Sequence, residues 1–376
     1  MNWVFLDCIS WDYDVGTPLA RPLGGSQSAL CYLAMALARR GERVTTLTGT
    51  TKPRNVHGVQ CMRYEDVPVE IFSPRETLTI VLNGPADVVR DVRKAVPAGK
   101  PAILWTQHAH DQPAMQALRD PAIVGLWDRI VCISDWQKSM FQQELGVPAA
   151  KIDVLRNAIS PVFENMFQTA AQLAEAKAQE LRLAYTSTPF RGLDLLIACF
   201  PSLHRRHPTC RLDIFSSMQV YGQSEEQDPY RKLYAQCRAT PGISYRGSVS
   251  QSELAKELAG VTMLSYPNTF AETSCIAVME ALAAGLFVVS SDLGALPETC
   301  AGWARLVPPI SKERTQEQFA VDFARHVDHA LTELESDRQR WMERCFEQSQ
   351  AINGTCTWDI RAAQWQQAAQ QWLSDR

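Results

Sequence analysis

The 376-residue sequence lacks several features that would point to particular classes of protein. Its eleven cysteines form no CxxC pair, which argues against a zinc site and against a disulfide framework. Its formal net charge is −4, so electrostatics give no reason to expect a nucleic-acid partner. The sequence also has no run of eighteen apolar residues, no basic leader region and no internal repeat. We therefore expect a cytoplasmic protein without a transmembrane segment, and peripheral contact with the inner membrane stays open.

Short apolar segments alternate with helical patterns along most of the chain, which predicts an α/β fold with parallel sheets. The chain is longer than one hydrophobic core usually reaches, and a segment rich in Ala, Gln and Glu follows residues 158–163. We therefore predict two Rossmann-like, doubly wound domains, residues 1–160 and 161–356, that face each other across a cleft. Ligands of such folds bind outside the carboxyl ends of the strands. The helical patterns include residues 134–145, 192–206 and 251–259.

Two acidic residues, Glu272 and Glu280, lie in the mostly apolar segment FAETSCIAVMEALAAG with seven residues between them. The segment is predicted to run from a strand through a loop into a helix, which would place the two acids roughly 12 Å apart. Carboxylate pairs that share one glycosidic bond stand only about 5–9.5 Å apart. The free N–H groups of the helix start, from about Thr273 to Ile276, could bind an anion between the two acids. This spacing would suit a nucleotide sugar, and a capping acid plus a solvated helical acid is the alternative.

Three further motifs precede this segment. LGGSQSA places Gly24 and Gly25 before Ser26, the predicted N-cap of the first long helix. The loop after the predicted strand AILWTQ would face the predicted cleft and carries two histidines. His108 is the candidate for a ligand contact in this loop, and His110 is the alternative candidate. Asp12 and Asp14 in WDYD are spaced like a metal-binding pair, and a solvated turn is an alternative for them.

The pattern E-x7-E within FAETSCIAVMEALAAGLFVVSSDLGALPE resembles that of the retaining glycosyltransferases of family 4, which have the GT-B fold. The segment LGGSQSALCYLAMALARRGERVTTLT is similar to the glycine-rich loop and first helix of that family. The segment DRIVCISDWQKSMFQQELGVPAAKIDVLRNAISPVF resembles the end of its first domain, with Asn157 at the usual asparagine position. Several matches in the same order in both halves make the resemblance specific.

The resemblance implies roles for individual residues. Glu272 would hold hydroxyls of the donor sugar, Glu280 the ribose, and Arg191 the diphosphate in place of the usual lysine. A companion arginine is missing near Thr186 and Thr188. His108 would lie near the donor sugar without acting as a nucleophile. Asp12 and Asp14 would belong to an acceptor-side loop rather than to a metal site. Further donor-side candidates are Gly24, Gly25 and Ser26 of the first loop, the backbone amides of Thr273, Ser274 and Cys275, and Ser216, Ser217, Arg246 and Gly247 near the base.

The resemblance also implies the reaction. A sugar would pass from a nucleoside-diphosphate sugar to an acceptor hydroxyl with retention of configuration, without a metal and without a cofactor. The acceptor, whether glycan, lipid or small molecule, stays open, and a catalytically silent nucleotide-sugar-binding or scaffold protein is the alternative. Trp358, Trp365 and Trp372 are spaced seven apart, which predicts a buried helix face. In the GT-B fold this C-terminal helix, residues 357–376, would pack back on the first domain.

Overall fold

The computed structural model describes residues 1–178, 180–222, 224 and 226–375. They form two compact units. The first unit consists of Met1–Ala158 with Trp358–Arg376, and the second unit consists of Ile159–Thr357. The sequence analysis predicted the first domain at residues 1–160 with 357–376 and the second domain at residues 161–356.

The first unit is built on a sheet in which the described strands follow the order β3-β4-β2-β1-β5-β6-β7-β8. All neighbouring strands are parallel except the edge pair β3 and β4, which is antiparallel. The strands are β1 (Asn2–Leu6), β2 (Arg43–Thr48), β3 (Arg54–Val56), β4 (Val59–Arg63), β5 (Thr77–Leu82), β6 (Ala102–Trp105), β7 (Arg129–Cys132) and β8 (Ile152–Val154). The helices between them are α1 (Thr17–Ala20), α2 (Gly25–Arg39), α3 (Val89–Ala95), α4 (Pro121–Leu126) and α5 (Asp135–Leu145).

The second unit repeats this architecture with the strand order β11-β10-β9-β12-β13-β14, parallel throughout the described pairs. Its strands are β9 (Arg182–Tyr185), β10 (Arg211–Ile214), β11 (Ile243–Tyr245), β12 (Met263–Tyr266), β13 (Phe287–Ser291) and β14 (Arg305–Val307). Its helices are α6 (Ala170–Ala176), α7 (Leu193–Arg206), α8 (Arg231–Ala239), α9 (Gln251–Ala259), α10 (Ile276–Ala283), α11 (Leu296–Cys300), α12 (Gln316–Ser336) and α13 (Arg338–Thr355).

The strand orders explain why the strands are so apolar and where ligands could bind. Helices cover both faces of a parallel sheet, so a central strand such as β5 is buried at every position. The strand order reverses between β1 and β5 in the first unit and between β9 and β12 in the second, and such switch points open crevices at the carboxyl ends of the strands. The predicted α/β class with two Rossmann-like parallel sheets is confirmed.

The last helix, α14 (Trp358–Ser374), belongs to the first unit. Its three tryptophans are buried, as the spacing predicted. The Trp365 ring meets the Trp105 ring edge-on with 5.1 Å between centroids, and the Trp372 indole N–H donates to the Asp153 carboxylate at 2.8 Å. Aromatic burial of this extent fastens the chain end to the core. No helix in the described part of the chain is long and apolar enough to cross a membrane.

Candidate active site

An arginine and a glutamate from two neighbouring strand ends form an ion pair in the second unit. Arg191 follows β9 and Glu272 follows β12, and these two strands are adjacent in the sheet. Arg191 Nη1 lies 2.6 Å from Glu272 Oε1, and the hydroxyl of Tyr266 donates to the same oxygen at 2.6 Å. Two residues that lie 81 positions apart in the sequence are thereby joined at the switch point of the sheet.

The surroundings of Arg191 keep its guanidinium charged and in place. Burial works against the charge, but the neighbouring Glu272 carboxylate more than offsets this and holds the pKa of Arg191 well above its usual value. The guanidinium also lies over the rings of Phe270 and Phe190, at 4.7 and 5.5 Å from their centroids. Its Nε is buried and has no hydrogen-bond partner among the described residues. Arg191 is therefore a fixed cation with an N–H group left to donate.

Two glycines allow the loops of this ion pair to approach each other. Gly192 has a φ of +97°, and a Cβ there would lie 1.9 Å from the carbonyl oxygen of Pro267. Gly294 has a φ of +67°, and a Cβ there would lie 2.5 Å from the carbonyl oxygen of Glu272. That same carbonyl accepts a hydrogen bond from the amide of Ala295 at 2.7 Å. Any side chain at either glycine would push the loops apart.

Helix α10 begins directly after the loop that carries Glu272. Thr273, Ser274 and Cys275 lie before its first residue, Ile276, and the N-cap residue Cys275 makes no side-chain capping bond. Burial raises the pKa of the Cys275 thiol well above its usual value, so this cysteine is not a reactive thiolate. A helix start without a capping side chain can direct its amides and its positive dipole end at an anion.

Glu280 lies on α10 and has a different partner from Glu272. Its side chain is buried, and Oε1 accepts a hydrogen bond from the amide of Ser160 at 3.2 Å. Burial raises the pKa of Glu280 to about 8, and the hydrogen bond from the Ser160 amide offsets only part of this rise. Both acids of the motif are buried, so the alternative of a solvated helical acid is wrong. The two acids therefore belong to separate contacts, Glu272 to the ion pair with Arg191 and Glu280 to the backbone at Ser160.

The candidates for base recognition follow β10 and β11. Arg246 forms an ion pair with Glu257, which also binds Arg182, so its charge is already engaged. Gly247 has a φ of +67°. The hydroxyl of Ser217 lies 2.6 Å from that of Ser248. The buried hydroxyl of Ser216 has no partner among the described residues.

The position of the missing arginine is occupied by hydroxyl side chains. The buried hydroxyls of Thr186 and Thr188 have no hydrogen-bond partners in the described part of the chain. The backbone here is held by the Tyr185 hydroxyl, which donates to the carbonyl of Thr188 at 2.7 Å. Arg191 is therefore the cation that this loop supplies.

His108 lies in the first unit, in the loop after β6. Its amide donates to the Thr106 hydroxyl at 3.1 Å, and its Nδ1 is buried without a hydrogen-bond partner among the described residues. Burial lowers the pKa of His108, so the imidazole is neutral near pH 7. The ring of His110, the alternative, packs edge-on against Trp136 at 6.3 Å between centroids.

The glycine-rich loop differs in one detail from the sequence prediction. Helix α2 begins at Gly25 with Gly24 as its N-cap, and it has no side-chain cap. Ser26 was expected to be the N-cap and instead lies in the first turn, because the backbone already becomes helical one residue before it. A Cβ on Gly24 would lie 2.9 Å from the side-chain oxygen of Gln27, so only glycine fits here without displacing that side chain.

The aspartates of WDYD each have their own partners in the first unit. Asp12 accepts hydrogen bonds from the amide and the hydroxyl of Thr51, both at 2.8 Å. Asp14 forms an ion pair with Arg54 at 2.7 Å and accepts from the amide of Gly16 at 2.9 Å. Both carboxylates therefore have partners 39 and 40 residues further along the chain, and Asp14 has a local one as well. Residues 1–178, 180–222, 224 and 226–375 contain no cluster of three side chains suited to a metal ion.

Sequence reasoning missed two residues that shape these sites. Tyr266, the last residue of β12, binds Glu272, and its position at a strand end was the signal that could have identified it. Gln137 is fully buried on α5 and binds the loop of His108. A glutamine in a helix pattern is ordinarily exposed, so no sequence signal pointed to that role.

Two family models match the chain, one in each half. The model described as Glycosyltransferase Family 4 matches residues 23–163, and the model described as Glycosyl transferases group 1 matches residues 182–325. Together they span the glycine-rich loop, the His108 loop, Arg191 and both glutamates.

Curated relatives and solved structures agree with these matches. The chain is 24% identical over 289 residues to a GDP-mannose-dependent alpha-(1-6)-phosphatidylinositol monomannoside mannosyltransferase of Mycobacterium tuberculosis, covering 71% of this chain and 69% of the relative. It is 24% identical over 172 residues to one subunit of the phosphatidylinositol N-acetylglucosaminyltransferase of Arabidopsis thaliana, covering 46% of this chain and only 36% of that relative. Sucrose-phosphate synthase from Thermosynechococcus elongatus superposes over 100% of both chains with a TM-score of 0.71 and 16% identity. Anabaena HepE in complex with UDP superposes with a TM-score of 0.69 and 14% identity, covering 99% of this chain and 100% of that one.

The family models and the fold of both units lead to one assignment: the chain belongs to the glycosyltransferases of family 4, a retaining family with the GT-B fold.

Proposed function

We propose that this glycosyltransferase moves a sugar from a nucleoside-diphosphate sugar to an acceptor hydroxyl with retention of configuration, without a metal ion, in the synthesis of a glycan, polysaccharide or glycoconjugate. The observation that carries the proposal is the ion pair between the partly buried Arg191 and the buried Glu272 at the switch point of the second unit.

The chemistry of the leaving group explains the need for Arg191. Departure of a nucleoside diphosphate builds up negative charge on its phosphate oxygens, and a preorganised cation stabilises that charge without having to reorganise during the reaction. Arg191 is held by Glu272 and by two aromatic rings, and its Nε–H has no partner in the described part of the chain. Its planar guanidinium suits two parallel hydrogen bonds to phosphate. The helix start at residues 273–275 would add backbone amides and a dipole to the same charge.

The two glutamates would contact the two ends of the donor. Glu272 is an acceptor for sugar hydroxyls, and its bonds to Arg191 and Tyr266 fix the direction of its carboxylate. Glu280 is largely protonated at neutral pH, so its carboxyl group can both donate to and accept from a ribose diol. Buried polar groups of this kind bind a partner strongly because leaving them unpaired is costly.

The remaining residues are assigned by the resemblance and stay predictions. His108 would contact the donor sugar as a neutral imidazole, and residues 24–26 would approach the diphosphate and the acceptor. Arg246 and Gly247 would lie near the base. The names of the relatives support UDP and GDP as the first donor nucleotides to test, and phosphatidylinositol-linked acceptors as the first acceptors.

A thermal-shift panel tests donor binding. UDP, GDP and ADP are added to the wild type and to the Glu280→Ala and Arg191→Ala variants. A nucleotide at about 100 times its Kd stabilises the fold by about 2.7 kcal/mol, which raises the Tm by about 5–10 °C. We expect one nucleotide series to give this shift and both variants to lose most of it. The proposal fails if no nucleotide moves the Tm of the wild type.

The companion arginine that is missing near Thr186 and Thr188 favours an alternative function for this protein. The alternative is a nucleotide-sugar-binding protein without catalytic activity. The loop at residues 186–188 presents hydroxyls where an arginine would neutralise the second phosphate charge. Turnover separates the two functions: a transferase releases nucleoside diphosphate from its donor, whereas a silent binder shows the thermal shift without release. Addition of EDTA to the turnover assay tests the metal-independence, and we expect it to leave the rate unchanged.

A further inference from the structure

The backbone of residues 106–109, the loop that carries His108, is held by side chains at successive positions. The amide of Gln107 donates to the side-chain oxygen of Asn83 at 2.7 Å, and the amide of Ala109 donates to that of Gln112 at 3.0 Å. The amide of His108 donates to the hydroxyl of Thr106 at 3.1 Å. The carbonyls of Thr106 and His108 both accept from one further side chain, that of Gln137.

Gln137 uses its whole amide group in this arrangement. Its Nε2 donates to the carbonyl of Thr106 at 3.1 Å and to that of His108 at 2.8 Å, while its Oε1 accepts from the amide of Ile133 at 2.7 Å. The side chain lies in the first turn of α5 and is completely buried. It therefore fastens the loop after β6 both to α5 and to the end of β7.

The contacts demand an amide and no other group. Two carbonyls need two N–H donors on one atom, and the Ile133 amide needs an acceptor beside them, a combination that only asparagine and glutamine provide without charge. A carboxylate would direct lone pairs at both carbonyls, and an apolar side chain would remove the partner of three backbone groups, two of them buried. A purely space-filling role does not require these properties.

We propose that Gln137 is a positioning residue that sets the backbone, and with it the imidazole, of His108 for glycosyl transfer. Gln137 itself contacts no substrate. The inference rests on the proposed function, because it assumes that His108 acts near the donor sugar. Its structural basis is the buried Nδ1 of His108, which has no hydrogen-bond partner among the residues that the structure describes and whose direction follows from the backbone that Gln137 holds.

The test compares two buried glutamines that make similar contacts. Gln348 in the second unit is also buried, and its Nε2 donates to the carbonyls of Leu282 and Leu286 at 3.1 and 2.8 Å, at the carboxyl end of α10, whereas the helix start assigned to the diphosphate lies at the other end. Gln137→Met and Gln348→Met each replace the amide by an unbranched apolar chain of similar length. Release of nucleoside diphosphate from the preferred donor, with water or an acceptor, gives kcat and the donor KM for each variant.

We expect both variants to lower the Tm, since both leave backbone carbonyls unpaired. Only Gln137→Met should lower kcat, by about 100-fold, which is the order expected for a reacting group misplaced by about 1 Å. Its donor KM should stay near that of the wild type. Gln137→Glu, which keeps the acceptor for Ile133 but loses the two donors, should show the same loss and provides a second variant if one fails to fold.

Equal kcat values for Gln137→Met, Gln348→Met and the wild type would overturn the inference, and so would a loss that appears only in KM. A wild type that releases no nucleotide from any donor would refute the proposed function itself, and the inference would fall with it. A wild type that turns over while the Gln137 variants match it refutes the positioning role alone.

Discussion

The buried carboxyl group of Glu280 predicts a pH dependence of stability that one substitution should remove. Its pKa is about 8 in the folded chain, raised by burial from an ordinary value of 4.5. Between these two values the folded chain binds a proton that the unfolded chain has lost, so stability falls as the pH rises from about 4.5 to about 8. The full difference corresponds to about 5 kcal/mol.

Glu280→Gln keeps an oxygen that can accept from the Ser160 amide but cannot ionise. We therefore expect the two proteins to have similar Tm values at pH 4.5 and the variant to be the more stable one at pH 8.5. For a domain of this size 1 kcal/mol corresponds to about 2–4 °C, so the Tm difference should reach about 10 °C. Differential scanning calorimetry without nucleotide at pH values from 4.5 to 8.5 measures it.

The matched control is Glu253→Gln, which makes the same chemical substitution at an exposed position of α9. Its Tm profile should run parallel to that of the wild type. If the Tm profile of Glu280→Gln also runs parallel to that of the wild type, the carboxyl group of Glu280 does not titrate differently in the folded and unfolded chains. The account of Glu280 as a protonated group would then be wrong.

Three further predictions concern the site and the core. Arg191→Lys should lower kcat by about 100-fold because it removes the planar fork that binds phosphate, whereas the exposed Arg205→Lys should leave nucleotide release unchanged; equal rates would contradict the role of Arg191. Gly192→Ala should destabilise the fold by at least about 1–3 kcal/mol, because alanine is strained at this positive φ and its Cβ would also collide with the carbonyl oxygen of Pro267; a Tm at or above that of the wild type would contradict this geometry. Trp365→Ala should cost about 3–5 kcal/mol in a urea titration, and a loss below about 1 kcal/mol would contradict its place in the core of the first unit.

Local patterns allowed much of the fold to be predicted. Helix α9 lies at residues 251–259 as expected, because Ser250 caps it and its apolar residues recur at helical spacing. Helix α7 starts within one residue of its predicted position. The order of strands and helices, together with the ordered motifs, was sufficient to identify the family and its fold.

Contacts between residues that are far apart in the sequence could not be predicted from such local patterns. The amide that binds Glu280 belongs to Ser160, 120 residues away, and the burial that raises its pKa depends on how the whole unit packs. The ion pair between Arg246 and Glu257 also joins two parts of the chain that no local pattern relates. The start of α2 was predicted too late, with Ser26 as the N-cap. The N-cap residue is set by the backbone dihedral angles, and here the helix already begins at Gly25, before the serine.

The most direct test of the central claim is a ¹H NMR time course of the wild type with α-linked UDP- and GDP-sugars, which shows both the release of nucleotide and the configuration of the first product. We expect nucleoside diphosphate to appear together with an α-configured product, and Arg191→Lys to slow both. Release of a β-configured first product, or no release from any donor, would contradict the assignment of a retaining transferase that uses the Arg191–Glu272 site.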